Sequence, residues 1–157
     1  MSKRPCISTK LWEEATAHCR WKAAMKTFQR TLDPIALAEM SFDEIYATVY
    51  KSRPKGVGKL GCYDITSSIM RYVKREIVTC VYLVGNGPKD AIFKLSLLHR
   101  IEKKKIKGAG TLPYITIEYV INRLKSKGIA YPKQVETDGD ALETWLCNWQ
   151  KTVKGVI

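Results

Sequence analysis

The chain has 157 residues, of which 45% are apolar and 27% are charged, and this composition is typical of a single globular domain and excludes an intrinsically disordered chain. Its 27 Lys and Arg against 15 Asp and Glu give a net charge of +12, which favours polyanionic partners. No apolar run is long enough to span a membrane and nothing near Met1 has the layout of a signal peptide, so we expect no membrane association.

The cysteines and histidines suggest neither a disulfide framework nor a metal site. The five cysteines are odd in number, widely spaced and without a C-x-x-C pair, and His18 and His99 lie far apart. Cysteines within apolar patterns behave as small core residues. We therefore expect no metal and no cofactor, and an intracellular reducing compartment such as cytoplasm, nucleoid, nucleus or virion.

The first half of the chain predicts helices. After a loose segment at 1–9, apolar residues at four-residue spacing predict a helix over 10–32, and a short helix could follow at 35–40. Ser41 and Glu44 form a capping box, which predicts a helix over 42–51. The loop 53–58 then leads into a helix predicted from Lys59 to about Lys74.

The second half alternates turns and predicted helices. Residues 77–83 are rich in Ile, Val and Tyr and predict a short strand. Helices are predicted over 88–104 and over 113–127, the latter opened by Pro113 and ended by Gly128. Asp140 and Glu143 indicate the cap of a last helix, and the tail after residue 151 should be loose. The chain is thus predicted to be a single, mainly α domain with at most one short strand.

A glycine turn occurs three times, each time before a predicted helix. The turns are Gly56-Val57-Gly58, Gly85-Asn86-Gly87 and Gly108-Ala109-Gly110. Glycine allows positive φ and close approach of a ligand to the backbone, and a helix that begins there points its N–H groups outward. Such a corner can bind a phosphate.

The first turn carries a specific resemblance. The segment from Gly56 to Ile65, Gly-Val-Gly-Lys-Leu-Gly-Cys-Tyr-Asp-Ile, resembles the turn and second helix of a helix-hairpin-helix DNA-binding motif, with 42–51 as the leading helix. The resemblance covers about 42–74, with a weaker second copy at about 77–105. It implies that amides around Gly56 to Gly58 hold a duplex phosphate. It departs from the motif at Pro54, which lies one residue further from the glycine than usual.

The resemblance and the charge together predict the binding residues. The expected contacts are Arg53, Lys55, Gly56, Val57, Gly58 and Lys59 at the first turn, Gly85, Gly87 and Lys89 at the second, and the basic run Arg100, Lys103, Lys104, Lys105 and Lys107. The run is interpreted as a helix end that extends the phosphate track. The same residues could instead form a solvated face, since lysines also serve solubility.

The function expected is nucleic-acid binding, with duplex DNA favoured over RNA and little sequence specificity. One alternative is a structural or assembly protein on an acidic partner or a packaged genome. Another is a DNA glycosylase, but Leu60 stands where that family places a Lys and Thr79 near where it places an Asp, so no catalytic residue is predicted. Segments such as Lys55–Gly58 and Val81–Leu83 are also similar to an uncharacterised bacterial and phage family, which implies no activity. The oligomeric state is left open.

Overall fold

The computed structural model describes residues 39–71 and 78–157. The helix predicted over 10–32, most of the helix predicted over 35–40 and the end of that predicted over 59–74 lie outside these residues. The described residues contain five α-helices and three strands in the order α1 (Phe42–Lys51), α2 (Lys59–Ile69), β1 (Cys80–Tyr82), α3 (Asn86–Lys94), β2 (Glu102–Ile106), β3 (Gly110–Thr116), α4 (Ile117–Ser126) and α5 (Gly139–Trp149).

The described residues divide into two compact units. The hairpin unit comprises 39–71 and 106–109, and the sheet unit comprises 78–105 and 110–157. The hairpin unit contains α1 and α2, and the sheet unit contains most of the sheet and the remaining helices. The single domain expected from the sequence stays a prediction.

Helices α1 and α2 bury a mixed aromatic and aliphatic surface. Ile45, Tyr46 and Val49 on α1 and Ile65 and Ile69 on α2 are each 0% exposed. The buried spacing on α1 follows the helical repeat, since residues four apart lie on one face. Ser41 caps α1, because its side-chain oxygen accepts from the N–H of Glu44 at 3.3 Å. The helix predicted over 42–51 is confirmed.

The expectation of a mainly α fold is wrong. A three-stranded antiparallel sheet in the order β1-β3-β2 makes the described part of the chain α+β. The short strand predicted near 77–83 is confirmed as β1, which pairs antiparallel with β3 through Val81 and Ile115. The other two strands, over 102–106 and 110–116, overlap the end of the helix predicted over 88–104 and the start of the helix predicted over 113–127.

The sheet unit has one apolar core beneath its helices. Val81 and Ile115 from the sheet pack with Ile92 of α3, Leu124 of α4 and Leu142 of α5, all buried. Gly139, the first residue of α5, donates its N–H to the Val78 carbonyl at 2.6 Å, so α5 starts directly against the strand segment. The N-terminal cap of α5 is Asp138. The predicted cap, Asp140, lies inside the helix.

Two helices of the sheet unit end in left-handed turns. Gly128 after α4 has a φ of +67°, and the N–H of Ile129 donates to the Leu124 carbonyl, which confirms that Gly128 ends this helix. Helix α3 ends in the same way at Ser96, with a φ of +57° and a bond from the Leu97 N–H to the Ile92 carbonyl. Both are Schellman caps.

Candidate nucleic-acid interface

The first glycine turn joins α1 and α2 as a tight β-turn. The N–H of Val57 donates to the Pro54 carbonyl at 3.2 Å, and Gly56 between them has a φ of +92°. Positive φ at this position is typical of a type II turn, which glycine adopts without strain. The Val57 side chain is 7% exposed, while Gly56 and Gly58 are exposed. The turn therefore presents backbone to solvent and its one apolar side chain to the core.

The described residues do not require a glycine at position 58. It is the N-cap of α2, with φ −91° and ψ −165°, an extended conformation open to any residue. A Cβ added to Gly58 would meet no atom within 4 Å among residues 39–71 and 78–157. Ser, Asp or Asn at this position would cap the helix better. The lack of a side chain leaves the first amides of α2 uncovered.

The start of α2 carries no acidic compensation. Helix α1 has the Ser41 cap with two acids in its first turn, and α5 has the Asp138 cap, but α2, like α3, has neither a side-chain cap nor an acid in its first turn. The N-terminus of a helix bears a partial positive charge that favours anions. Lys55 and Lys59 beside it are exposed. The corner therefore concentrates positive potential around open backbone.

Arg53 is held at the same turn by an aromatic ring. Its guanidinium carbon lies 3.7 Å from the centroid of the Tyr50 ring, and its Nη1 donates to the Tyr50 carbonyl at 2.6 Å. The ring in turn stacks on Tyr46, with centroids 6.2 Å apart. Tyr50 is not among the residues predicted from the sequence, although an aromatic residue three positions before an Arg at a helix end can indicate such a contact.

The second glycine turn has a different role. Gly85 and Gly87 both lack positive φ, and Gly87 sits in the first turn of α3. A Cβ on Gly87 would lie 2.8 Å from the Sγ of Cys147 on α5. This glycine is thus accounted for by close helix packing rather than by ligand approach. Lys89 is exposed on α3.

The third glycine turn opens a strand, and its prediction as a helix start is wrong. Gly108 and Gly110 have φ of +79° and +74°, and the N–H of Ala109 donates to the Ile106 carbonyl at 2.9 Å. This is a three-residue connection between β2 and β3, for which positive φ is usual. Lys107, in that connection, is exposed. A Cβ on Gly108 would meet the Lys51 side chain at 2.7 Å.

The basic run is a strand and not the helix end that was expected. Lys103, Lys104 and Lys105 lie in β2, at an edge of the sheet, with Lys103 and Lys105 exposed. Lysines on edge strands also prevent unwanted strand pairing, so they have a structural reason here. Arg100 precedes the strand, its guanidinium carbon 4.6 Å from the Tyr119 ring centroid. No sequence signal links these two residues, since the fold alone brings them together.

The described residues contain neither a metal-ligand cluster nor a membrane-spanning helix. Within 39–71 and 78–157, no three His, Cys, Asp or Glu side chains are grouped as metal ligands would be. Over the same residues, no helix combines the length and the apolar character needed to cross a bilayer.

Comparison of the chain with protein-family models, with curated proteins and with solved structures finds no match. The function of the interface is therefore inferred from the geometry of its own residues.

Proposed function

We propose that this protein binds nucleic acid, with duplex DNA favoured over RNA, through backbone phosphates at the corner between α1 and α2. The observation that carries the proposal is Gly58, an exposed helix cap at which neither the backbone conformation nor packing against the described residues requires a glycine. The absence of a side chain eases close approach of an anion to the first amides of α2.

The chemistry of the corner suits a phosphate. First-turn amides of α2, such as those of Gly58 and Leu60, have no acceptor inside the helix, and phosphate oxygens accept such N–H groups. Lys55, Lys59 and Arg53 add charge around them. Contacts to phosphate fix position without reading bases, so sequence preference should be weak.

The resemblance to a helix-hairpin-helix motif supports the same proposal. The leading helix α1, a turn with a buried Val57 between two exposed glycines, and α2 follow one another in the order of that motif. The turn at Gly85 and Gly87 supports it less, because packing against Cys147 already accounts for Gly87. We therefore assign the phosphate site to the first turn alone.

The second candidate is an assembly protein that binds an acidic partner. It is favoured by β2, whose lysines form a cationic sheet edge. Charge of this kind attracts acidic surfaces as readily as nucleic acid. Binding to bare DNA distinguishes the two candidates.

The test is fluorescence anisotropy with a labelled DNA duplex over a range of salt concentrations, with the matching RNA duplex alongside. Wild type should bind at low salt and weaken with a log–log slope of about −0.9 per phosphate contact. Gly58→Asp should bind about tenfold or more weakly, since it covers the amides with a carboxylate, and this loss is the size of a charge-assisted hydrogen bond.

The Gly58→Asp variant separates binding from folding. Because Asp is a favoured N-cap, the variant should be at least as stable as wild type, with an unfolding free energy up to a few tenths of a kcal/mol higher. Lys133→Ala, an exposed lysine in the sheet unit, is the control and should bind like wild type. Absence of DNA binding at low salt, or unchanged binding by Gly58→Asp, would overturn the proposal.

A further inference from the structure

The Arg53 guanidinium is fixed on two sides by one residue. The Tyr50 ring lies 3.7 Å beneath its carbon, and the Tyr50 carbonyl accepts from Nη1 at 2.6 Å. An exposed arginine ordinarily samples many rotamers, and its immobilisation has an entropic cost. In this protein the side chain is already ordered by folding, so the entropic cost does not fall on ligand binding.

The ring beneath Arg53 is itself rigidly backed. Tyr50 stacks on Tyr46 with an interplanar angle of 26°, and Tyr46 stacks on Phe42 at 12°. Tyr46 is 0% and Phe42 7% exposed, so this aromatic column along α1 is anchored in the core of the hairpin unit. The column ends at the guanidinium, next to the glycine turn.

We propose that Tyr50 is a positioning residue, which holds Arg53 in the orientation that contacts a nucleic-acid phosphate. This inference rests on the proposed function of the first glycine turn. One of the five N–H donors of Arg53 serves the Tyr50 carbonyl, and the donors that remain can meet a phosphate in the bidentate fashion of arginine. A lysine at this position could keep the charge but would lose both the planar stack and the fork.

The contact of Arg53 with its tyrosine is tighter than the corresponding contact of Arg100. Arg100 also lies on a tyrosine ring, that of Tyr119, but at 4.6 Å and with an Nη1 to hydroxyl distance of 3.5 Å. Within the described part of the chain, Arg100 has no carbonyl acceptor of the kind that Tyr50 provides for Arg53. We therefore expect Arg53 to be the better ordered of the two arginines.

The first experiment uses the free protein. The ¹⁵N order parameter of the Arg53 Nε–Hε group should be that of an ordered group in wild type and in Tyr50→Phe, which keeps the ring. It should fall toward the range of flexible groups, below about 0.6, in Tyr50→Leu, which removes the ring and keeps only the bond to the backbone carbonyl. An order parameter already low in wild type, or unchanged in Tyr50→Leu, overturns the inference whether or not DNA binds.

The second experiment is a double-mutant cycle on duplex DNA binding. Tyr50→Leu should weaken binding about threefold to tenfold, the cost of ordering one long side chain on association, while Tyr50→Phe binds like wild type. In an Arg53→Ala background, Tyr50→Leu should have no further effect, because it acts only through the arginine. An equal loss in both backgrounds would identify a merely structural role and overturn the inference.

The Arg53→Lys variant covers the case in which Tyr50→Leu folds poorly. It leaves the aromatic column intact and should bind about threefold to tenfold more weakly than wild type with an unchanged salt slope, since the charge is kept. Wild-type affinity in Arg53→Lys would overturn the positioning role. If Gly58→Asp binds DNA normally while Arg53 is ordered as described, the proposed phosphate corner fails and the positioning of the side chain stands.

Discussion

The side-chain nitrogen of Lys94 lies 2.5 Å from the carbonyl oxygen of Gln150, at the carboxyl end of α5. The same nitrogen donates to the Gln150 Oε1 at 3.1 Å and to the Val153 carbonyl at 2.6 Å. A cation at this position satisfies carbonyls that a helix end leaves unpaired and complements its negative end. The half-buried lysine of α3 thus fastens the segment after α5, whose Ile157 N–H also donates to the Lys94 carbonyl.

Lys94→Met should therefore destabilise the sheet unit by about 1.5–3 kcal/mol, the range for hydrogen bonds to a charged group. Urea denaturation measures the loss, and hydrogen exchange should quicken at residues 150–157. Lys151→Met, an exposed lysine of the same segment, should stay within about 0.5 kcal/mol of wild type. Equal stability of the two variants would show that Lys94 carries no such role.

Ser96→Gly should stabilise the protein. Ser96 holds a φ of +57° in the Schellman cap of α3, a conformation that is costly for a residue with a Cβ. We expect a net rise in the unfolding free energy of about 0.5–1 kcal/mol. This is the relief of the left-handed strain less the entropic cost that glycine brings from its greater freedom in the unfolded chain. Gly128→Ser, at the equivalent cap of α4, is the matched reverse change and should lower it by a similar amount. Thermal unfolding of both variants checks the pair, and shifts of the same sign would contradict it.

Gly87→Ala should destabilise without changing nucleic-acid affinity. The new Cβ would lie 2.8 Å from the Cys147 Sγ and 3.3 Å from its Cβ, a crowding that typically costs about 1–3 kcal/mol. Cys147→Ala removes the sulfur and should restore part of the stability of the Gly87→Ala protein. The measurements are chemical denaturation and anisotropy with the same DNA duplex. If Gly87→Ala folds but binds DNA more weakly than wild type, the second glycine turn also contributes to nucleic-acid binding.

Tyr46 should make stability depend on alkaline pH. Its hydroxyl is buried without a hydrogen-bond partner among the described residues, and burial raises its pKa from 10.0 to about 12. The pKa of Tyr46 is higher in the folded than in the unfolded protein. Its contribution to the unfolding free energy is therefore fully present below pH 10 and is lost as the pH rises through about 12. A shift of that size corresponds to about 3 kcal/mol of unfolding free energy.

Tyr46→Phe should remove that part of the pH dependence. At pH 8 its unfolding free energy should equal that of wild type or exceed it by about 1 kcal/mol, because an unpaired buried hydroxyl is eliminated. Urea denaturation at pH 8 and pH 11 makes the comparison. Burial also raises the pKa of the Cys62 thiol, and this contribution stays in both proteins. An unchanged pH dependence in Tyr46→Phe would show that another group is responsible.

The sequence by itself determined the features that local chemistry controls. Helix α1 could be predicted because Ser41 caps it and its apolar residues follow the helical repeat. The end of α4 at Gly128 could be predicted because a left-handed cap selects glycine within the same turn of chain. The first glycine turn was found for a similar reason, since Gly56 adopts a conformation that its own residue type allows.

Tertiary structure alone decided the remaining features. Lys103 to Lys105 lack the alternating apolar pattern of a strand and become one because β2 lies beside β3, and strand preference depends strongly on such pairing. Gly87 was predicted to contact a ligand, but in the fold it lies against Cys147, which is distant in sequence. Asp138 rather than Asp140 caps α5. The helix begins at Gly139, which lies so close to the Cys80 carbonyl that a Cβ would overlap it. These outcomes depend on atoms distant in sequence, whose proximity no local pattern encodes.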